Sequence, residues 1–307
     1  MSAQSPVQRM TAPGITARKG GDPIVCLTAY DAPTAAMLDP HCDLILVGDS
    51  VGMVVHGLTT TVGVTLDMMI LHGQAVMRGA HSALVVVDLP FGSYEDSPET
   101  AFKSASRVMM ETGCQAVKIE SGSYAAATIA YLVERGIPVM SHVGLRPQSM
   151  NVLGGFRARG RRKKVEDEII ANAIAASEAG SFAVVVEGVS AEIADKVTAA
   201  VPVPTIGIGA SPGCDGQILV TPDMLGQFDR VPKFVKKFGD MKGLIETAAE
   251  NYEGKVSEGS DEGHEWQFTL GGGVFHGPKY EGHEKEDTKF FPMIGISYGE
   301  FSLGMDG

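Results

Sequence analysis

Short apolar runs recur along the chain, and four of them end in a carboxylate: DLILVGD at Asp49, SALVVVD at Asp88, QAVKIE at Glu120 and FAVVVE at Glu187. Their length and β-branched content read as buried strands. Between them lie segments whose apolar residues return at helical spacing. LDMMILHGQAVMRG follows Thr65 as N-cap, and SPETAFKSASRVMMETG opens on Ser97 and Pro98 and closes on Gly113. SYAAATIAYLVERG, VEDEIIANAIAASEAG and SAEIADKVTAAV are further helices, while IVCLTAY, IPVMSH, VPTIGIGAS and DGQILV are further strands. The strand–helix unit repeats about eight times, which implies a parallel sheet and favours its closure into a (β/α)8 TIM barrel. An open dinucleotide-binding sheet would carry GxGxxG after its first strand; the first turn here reads TAYDAPT.

This pattern divides the chain into an N-terminal extension (1–22), a catalytic barrel (23–253) and an acidic, glycine-rich tail (254–307). The tail holds 12 glycines and an acidic excess, so it buries little apolar area and is expected to be mobile and non-catalytic, although Trp266, Phe268, Phe275, Phe290 and Phe291 could anchor parts of it.

At 307 residues and 44% hydrophobic content the chain can bury one large core. It has no apolar run of about 18 residues and no signal-peptide pattern, so a soluble, cytoplasmic protein is expected. Its four cysteines form no CxxC pair, which points to reduced thiols rather than a zinc site or disulfide framework. Most of the net charge of −12 sits in residues 246–307, where 13 Asp/Glu face 4 Lys/Arg. That balance disfavours nucleic acid and anionic membrane as partners and leaves small molecules. The one basic cluster, Arg157 to Lys164, reads as a solvated loop or subunit contact, with an anionic co-substrate as the sharper alternative.

The barrel gives the four acids their meaning. Catalytic groups of such barrels lie at the C-terminal ends of the strands. Converging like charges repel unless some bind a metal, pair with a cation or hold a proton. Hard oxygen donors without a Cys or His cluster point to Mg²⁺ or a similar divalent ion. Lys118 lies two residues before Glu120 on the same strand face, so its ammonium can enter the pocket and bind a substrate carboxylate. His142 ends the fifth strand candidate, IPVMSH, and GLRPQSMNVLGGFRARG after it is too long and glycine-rich for a mere connector.

The stretches LTAYDAPTA, GDSVGM, VTLDMMILH, DLPFGSY, VKIESG, SHVGLRPQS, VVEGV, PTIGIGA, CDGQILV and PKFVKKF, in order from about Pro23 to Asp240, closely resemble the ketopantoate hydroxymethyltransferase family. The resemblance implies a barrel of the phosphoenolpyruvate mutase and isocitrate lyase superfamily, assembled as a homo-oligomer, usually a decamer. It implies transfer of a hydroxymethyl group from 5,10-methylenetetrahydrofolate, as co-substrate, to 3-methyl-2-oxobutanoate through a metal-stabilised enolate, giving 2-dehydropantoate of pantothenate biosynthesis. Carried over by position, Asp49 and Asp88 are the magnesium acids, with Glu120 completing the surroundings of one Mg²⁺ per subunit. Asp49, Ser50, Asp88 and Lys118 bind the keto acid, Glu187 is the catalytic base, and His142 has a supporting role, positioning the ligand or assisting proton traffic. Met53, Val54 and Val55 are candidates for the folate site, though they read equally well as a loop packed under the barrel rim. Arg146 stands where the family more often has threonine, and the tail has no counterpart. A carbon–carbon lyase or mutase of the same superfamily, acting on another 2-oxo acid, is the alternative; it should carry a catalytic cysteine loop of the KKCG kind, which this sequence lacks. A non-catalytic barrel would have no reason to keep Lys118 and Glu187 alongside both metal acids.

Overall fold

The computed structural model describes residues 9–122, 124–154, 163–257, 266–278, 286–298 and 301–305. The chain forms two compact units, Met1–Lys242 and Gly243–Gly307. The strands of the first are β1 (Ile24–Thr28), β2 (Leu44–Val47), β3 (Leu84–Asp88), β4 (Ala116–Glu120), β5 (Val139–Gly144), β6 (Ala183–Glu187), β7 (Thr205–Ile208) and β8 (Gly216–Leu219). They pair in parallel in sequence order, and β8 returns to β1 to close the barrel. The helices are α1 (Ala12–Thr16), α2 (Ala32–Leu38), α3 (Val51–Val54), α4 (Leu66–Gly79), α5 (Pro98–Thr112), α6 (Ala125–Glu134), α7 (Met150–Leu153), α8 (Lys163–Glu178), α9 (Ala191–Ala200), α10 (Thr221–Met224) and α11 (Met241–Ser257).

Helix starts follow local chemistry. The hydroxyls of Thr65, Ser97 and Ser190 accept from the backbone N–H three residues on, at the first turns of α4, α5 and α9. The expected repeat breaks once, because the β7–β8 connection, residues 209–215, contains no helix. Its sequence, GASPGCD, has the glycine and proline of a turn and no helical period.

Alternation along the strands builds the barrel interior. Leu44 and Leu46, Leu84 and Val86, Ala116, Met140, Ala183 and Val185, Ile206 and Ile218 share one inner cluster, whereas their neighbours Ile45, Val85, Val87, Val117 and Val139 pack outward under the helices. Ala12 and Ile15 of α1 join the inner cluster, and Thr16 Oγ1 donates to Phe182 O at 3.0 Å, so the N-terminal extension seals the end where the strands begin. The four cysteines are free thiols, three buried and Cys42 half-buried. No helix among the described residues is long and apolar enough to cross a membrane.

Of the second unit, β9 (Trp266–Pro278), β10 (Glu286–Tyr298) and β11 (Phe301–Met305) pair as an antiparallel sheet, with Trp266 opposite Tyr298 and Tyr298 opposite Phe301. All five aromatic residues named as possible anchors of the tail, Trp266, Phe268, Phe275, Phe290 and Phe291, fall in β9 or β10. Stretches such as WQFTL, KFFPMIGISY and FSLGM are rich in strand-forming residues, and ladder pairing satisfies the backbone that composition alone left unaccounted for. Helix α11 runs through residue 253, where the barrel segment was expected to end. The basic cluster lies largely outside the described residues; of it, Lys163 opens α8 and pairs with Asp167 at 3.0 Å.

Candidate active site

The inward parity that fills the barrel with Leu84 and Val86 reaches Asp88 at the exit of β3. The same count from Ala116 reaches Lys118 and Glu120, from Met140 reaches His142, and from Ala183 and Val185 reaches Glu187. Five polar side chains therefore crown the apolar interior at its C-terminal end. Asp49 enters differently: β2 ends at Val47, and Asp49 lies in the turn before α3. That turn is tight. A Cβ on Gly48 would come within 2.8 Å of Ser50 Oγ and 3.5 Å of Asp88 Oδ2, so a side chain there would push the two apart.

Asp88 is the hub. Its Oδ1 accepts from Lys118 Nζ at 2.7 Å and its Oδ2 from the Asp49 backbone N–H at 3.0 Å, all within a buried cluster. Burial alone would lower the Lys118 ammonium's pKa, but the charges of Asp88 and Asp49 outweigh it and hold the group protonated. Asp49 is pushed up to about 7, first by burial and then by Asp88, against the pull of Lys118 and a hydrogen bond from Gln148. Burial and the Asp49 charge raise Glu120 well above the carboxylate range, and its Oε2 is buried without a hydrogen-bond partner. Ser50 Oγ pairs with Tyr30 Oη at 2.8 Å.

A second pair stands on the neighbouring strands. His142 Nε2 is 3.2 Å from Glu187 Oε2 but lacks the alignment of a hydrogen bond. Burial lowers the His142 pKa, with Glu187 opposing, so the neutral imidazole is favoured. Gly144, at φ +96°, lets the chain turn over Glu187: a Cβ there would sit 2.2 Å from the Glu187 carbonyl oxygen, and an L side chain would be strained.

Three residues beyond the expected set complete the site. Gln148, 5% exposed, donates from Nε2 to Asp49 Oδ2 at 2.8 Å and to Leu89 O at 3.0 Å, and its backbone N–H donates to Glu120 Oε1 at 3.0 Å. Tyr94 Oη meets Gln148 Oε1 at 2.6 Å, and Tyr30 backs Ser50. The long connector after the fifth strand was the only sequence signal for Gln148. A cavity of about 140 Å³ beside Glu120 is lined by Phe91, Tyr94, Tyr124 and Gln148, and one of about 260 Å³ behind Tyr30 by Val54, Val55, Thr221 and Leu225. Met53 is not among the second cavity's lining residues.

The donor chemistry fits a hard divalent ion. Two buried acids on adjacent strand exits are oxygen donors, and the raised Asp49 and orphaned Glu120 oxygen mark negative charge that Lys118 alone does not balance. Among the described residues no three His, Cys, Asp or Glu side chains are gathered to hold an ion by themselves.

Fold and site together define a (β/α)8-barrel enzyme with an acid-rich catalytic face. The family model described as Ketopantoate hydroxymethyltransferase matches residues 9–260. The chain belongs to that family and is a hydroxymethyltransferase. It is 62% identical over 256 residues to the 3-methyl-2-oxobutanoate hydroxymethyltransferase of Hyphomonas neptunium, a match covering 83% of this chain and 93% of the relative. With the enzyme of the same name from Maricaulis maris it shares 63% over 264 residues, covering 85% and 95%. Among solved structures, 2,3-dimethylmalate lyase, of the PEP mutase/isocitrate lyase superfamily, aligns at TM-score 0.55 and 16% identity, over 82% of this chain and 89% of that one. The phosphoenolpyruvate phosphomutase of Streptomyces platensis subsp. rosaceus aligns at 0.55 and 12%, over 81% and 88%. At such identity these two bear on the fold alone; the family match decides against the lyase or mutase alternative.

Proposed function

We propose that the chain transfers a hydroxymethyl group from 5,10-methylenetetrahydrofolate to 3-methyl-2-oxobutanoate, giving 2-dehydropantoate, with Glu187 as the base that removes the C3 proton. The observation that carries this reading is that an acidic wall, with Asp49 in the turn after β2, Asp88 on β3 and Lys118 and Glu120 on β4, shares the mouth with Glu187 on β6, four strands from β2 around the barrel. His142 on β5 stands between them, in register with Glu120 and 3.2 Å from Glu187.

When bound, a divalent ion held by Asp49 and Asp88, with Glu120 in its surroundings, would supply Lewis-acid polarisation of the 2-oxo group and so acidify C3–H. Lys118 spends one ammonium proton on Asp88 and has two left for the substrate carboxylate. Ser50, beside Asp49 and backed by Tyr30, contacts the same end of the keto acid. Glu187 then takes the C3 proton across the pocket, and His142, 3.2 Å away and favoured neutral, stands beside it without competing as a cation. C3 then bonds to the methylene carbon, both bonds from that carbon to the folate nitrogens break, and one water supplies the hydroxyl; tetrahydrofolate leaves carrying two protons, equivalent to the C3 proton and one from water.

The same reading places the enzyme in the cytoplasm as a homo-oligomer, a decamer by family likeness. Met37, Leu71 and Met110, exposed on the adjoining helices α2, α4 and α5, support an assembly face. The domain division proposed is a catalytic barrel with non-catalytic additions at either end. The purified full chain, given Mg²⁺, 5,10-methylenetetrahydrofolate and 3-methyl-2-oxobutanoate, is expected to form 2-dehydropantoate. Failure to form it with both substrates present would overturn the reading.

A further inference from the structure

We propose that Gln148 is a positioning residue for the acidic wall, held in a single amide orientation by Tyr94. The inference rests on the reading above, in which Asp49 and Asp88 hold a divalent ion and Glu120 borders it.

The orientation follows from the direction of the hydrogen bonds. The Glu120 backbone N–H can only donate, and it donates to Tyr94 Oη at 3.1 Å. The Tyr94 hydroxyl proton is then free for Gln148, 2.6 Å away, so the amide oxygen faces Tyr94. At the other end the Leu89 carbonyl, 3.0 Å from Nε2, can only accept. Both ends therefore select the same rotamer of the amide, which the geometry of Gln148 alone would leave undecided. With one Nε2 proton on Leu89 O, the other is directed at Asp49 Oδ2, 2.8 Å away. Among the described residues no hydrogen bond is made to Asp49 Oδ1, which leaves that oxygen to a cation. The Gln148 backbone N–H meanwhile holds Glu120 Oε1 at 3.0 Å and leaves Oε2 open. One buried residue on the β5 connector thus sets which oxygen of each acid is engaged, one after β2 and one on β4. Outer-shell groups that orient metal-binding carboxylates in this way control affinity without touching the ion.

The test measures Mg²⁺ binding to the full chain by calorimetry in the presence of 3-methyl-2-oxobutanoate, for the parent, Gln148→Met, Tyr94→Phe and the double variant, with thermal melting as the check that each folds. Gln148→Met keeps the volume and removes every side-chain hydrogen bond; its Mg²⁺ Kd is expected to rise about 10- to 100-fold. Tyr94→Phe, the milder change, should weaken binding less, and most of its effect should vanish on top of Gln148→Met, leaving only the part due to the Glu120 N–H that loses its acceptor. A folded Gln148→Met that binds Mg²⁺ within about twofold of the parent overturns the inference, as does a Tyr94→Phe loss that adds in full to the other. If Gln148→Met does not fold, the Tyr94→Phe affinity decides alone, with parental binding counting against. A parent that binds no Mg²⁺ brings down the metal reading itself, and the inference with it.

Discussion

His142 Nε2 lies 3.2 Å from Glu187 Oε2, on adjacent strands at the open end of the barrel. Because burial depresses the His142 pKa, the unfolded chain takes a proton at about pH 6.5 that the folded chain resists. The stability associated with neutral His142 is therefore present above that pH and lost as pH falls toward the folded value. Urea midpoints at pH 7.5 and 5.5 should show the parent losing stability on acidification by up to about 1.4 kcal/mol per pH unit more than His142→Asn. Equal losses would mean that the imidazole is not held neutral.

The Lys118–Asp88 pair sets a second expectation. Asp88→Ala leaves an ammonium buried without its 2.7 Å partner and is expected to cost about 3–5 kcal/mol of stability, most of it recovered by adding Lys118→Met. Asp49→Ala and Asp88→Ala should both abolish activity together with its dependence on a divalent ion. Mg²⁺-dependent turnover surviving in both variants contradicts the assignment.

Asp49 gives a pH dependence of opposite sign. Its folded pKa, pushed up to about 7, lies above the unfolded value, so the stability it contributes is full below about pH 4 and is lost as pH rises through 7. A divalent ion relieves that loss when the carboxylate is charged and competes with a proton when it is not. Mg²⁺ should raise the melting temperature more at pH 8 than at pH 6, and Asp49→Asn should remove the difference. A Mg²⁺ effect independent of pH would speak against Asp49 as a ligand.

What could be read in advance has a physical limit. Asp88, Glu120 and Glu187 end buried strands, and a period of two carries them to the barrel axis on the parity that buries Leu84, Ala116 and Ala183; periodicity is visible in sequence. Asp49 was found by the same reasoning but sits two residues past β2, where turn geometry and not strand parity directs it. Gln148 and Tyr94 lie on connectors, and their roles arise from single hydrogen bonds that bridge 54 positions to each other and, for Gln148, 99 positions to Asp49. No periodic signal marks such contacts. The strands after residue 265 were hidden by glycine and acid content, which measures burial poorly when backbone pairing holds the segment together.

Residues beyond 260 lie past the family match. Removal of 261–307 is expected to leave the rate of 2-dehydropantoate formation within a few-fold of the full chain. A loss greater than about tenfold, roughly 1.4 kcal/mol of barrier, would give the added sheet a part in closing or assembling the site.

The central claim is that Glu187 removes the C3 proton before the one-carbon unit is attacked. With Mg²⁺ and no folate, the enzyme should exchange that proton of 3-methyl-2-oxobutanoate with D₂O, followed by NMR. Glu187→Gln keeps the shape and loses the basicity, so it should bind the keto acid with near-parental affinity yet lose exchange and turnover together by a factor of about 10² or more. Exchange at the parental rate in the Gln variant would contradict the account and make His142, 3.2 Å from Glu187, the leading candidate for the base.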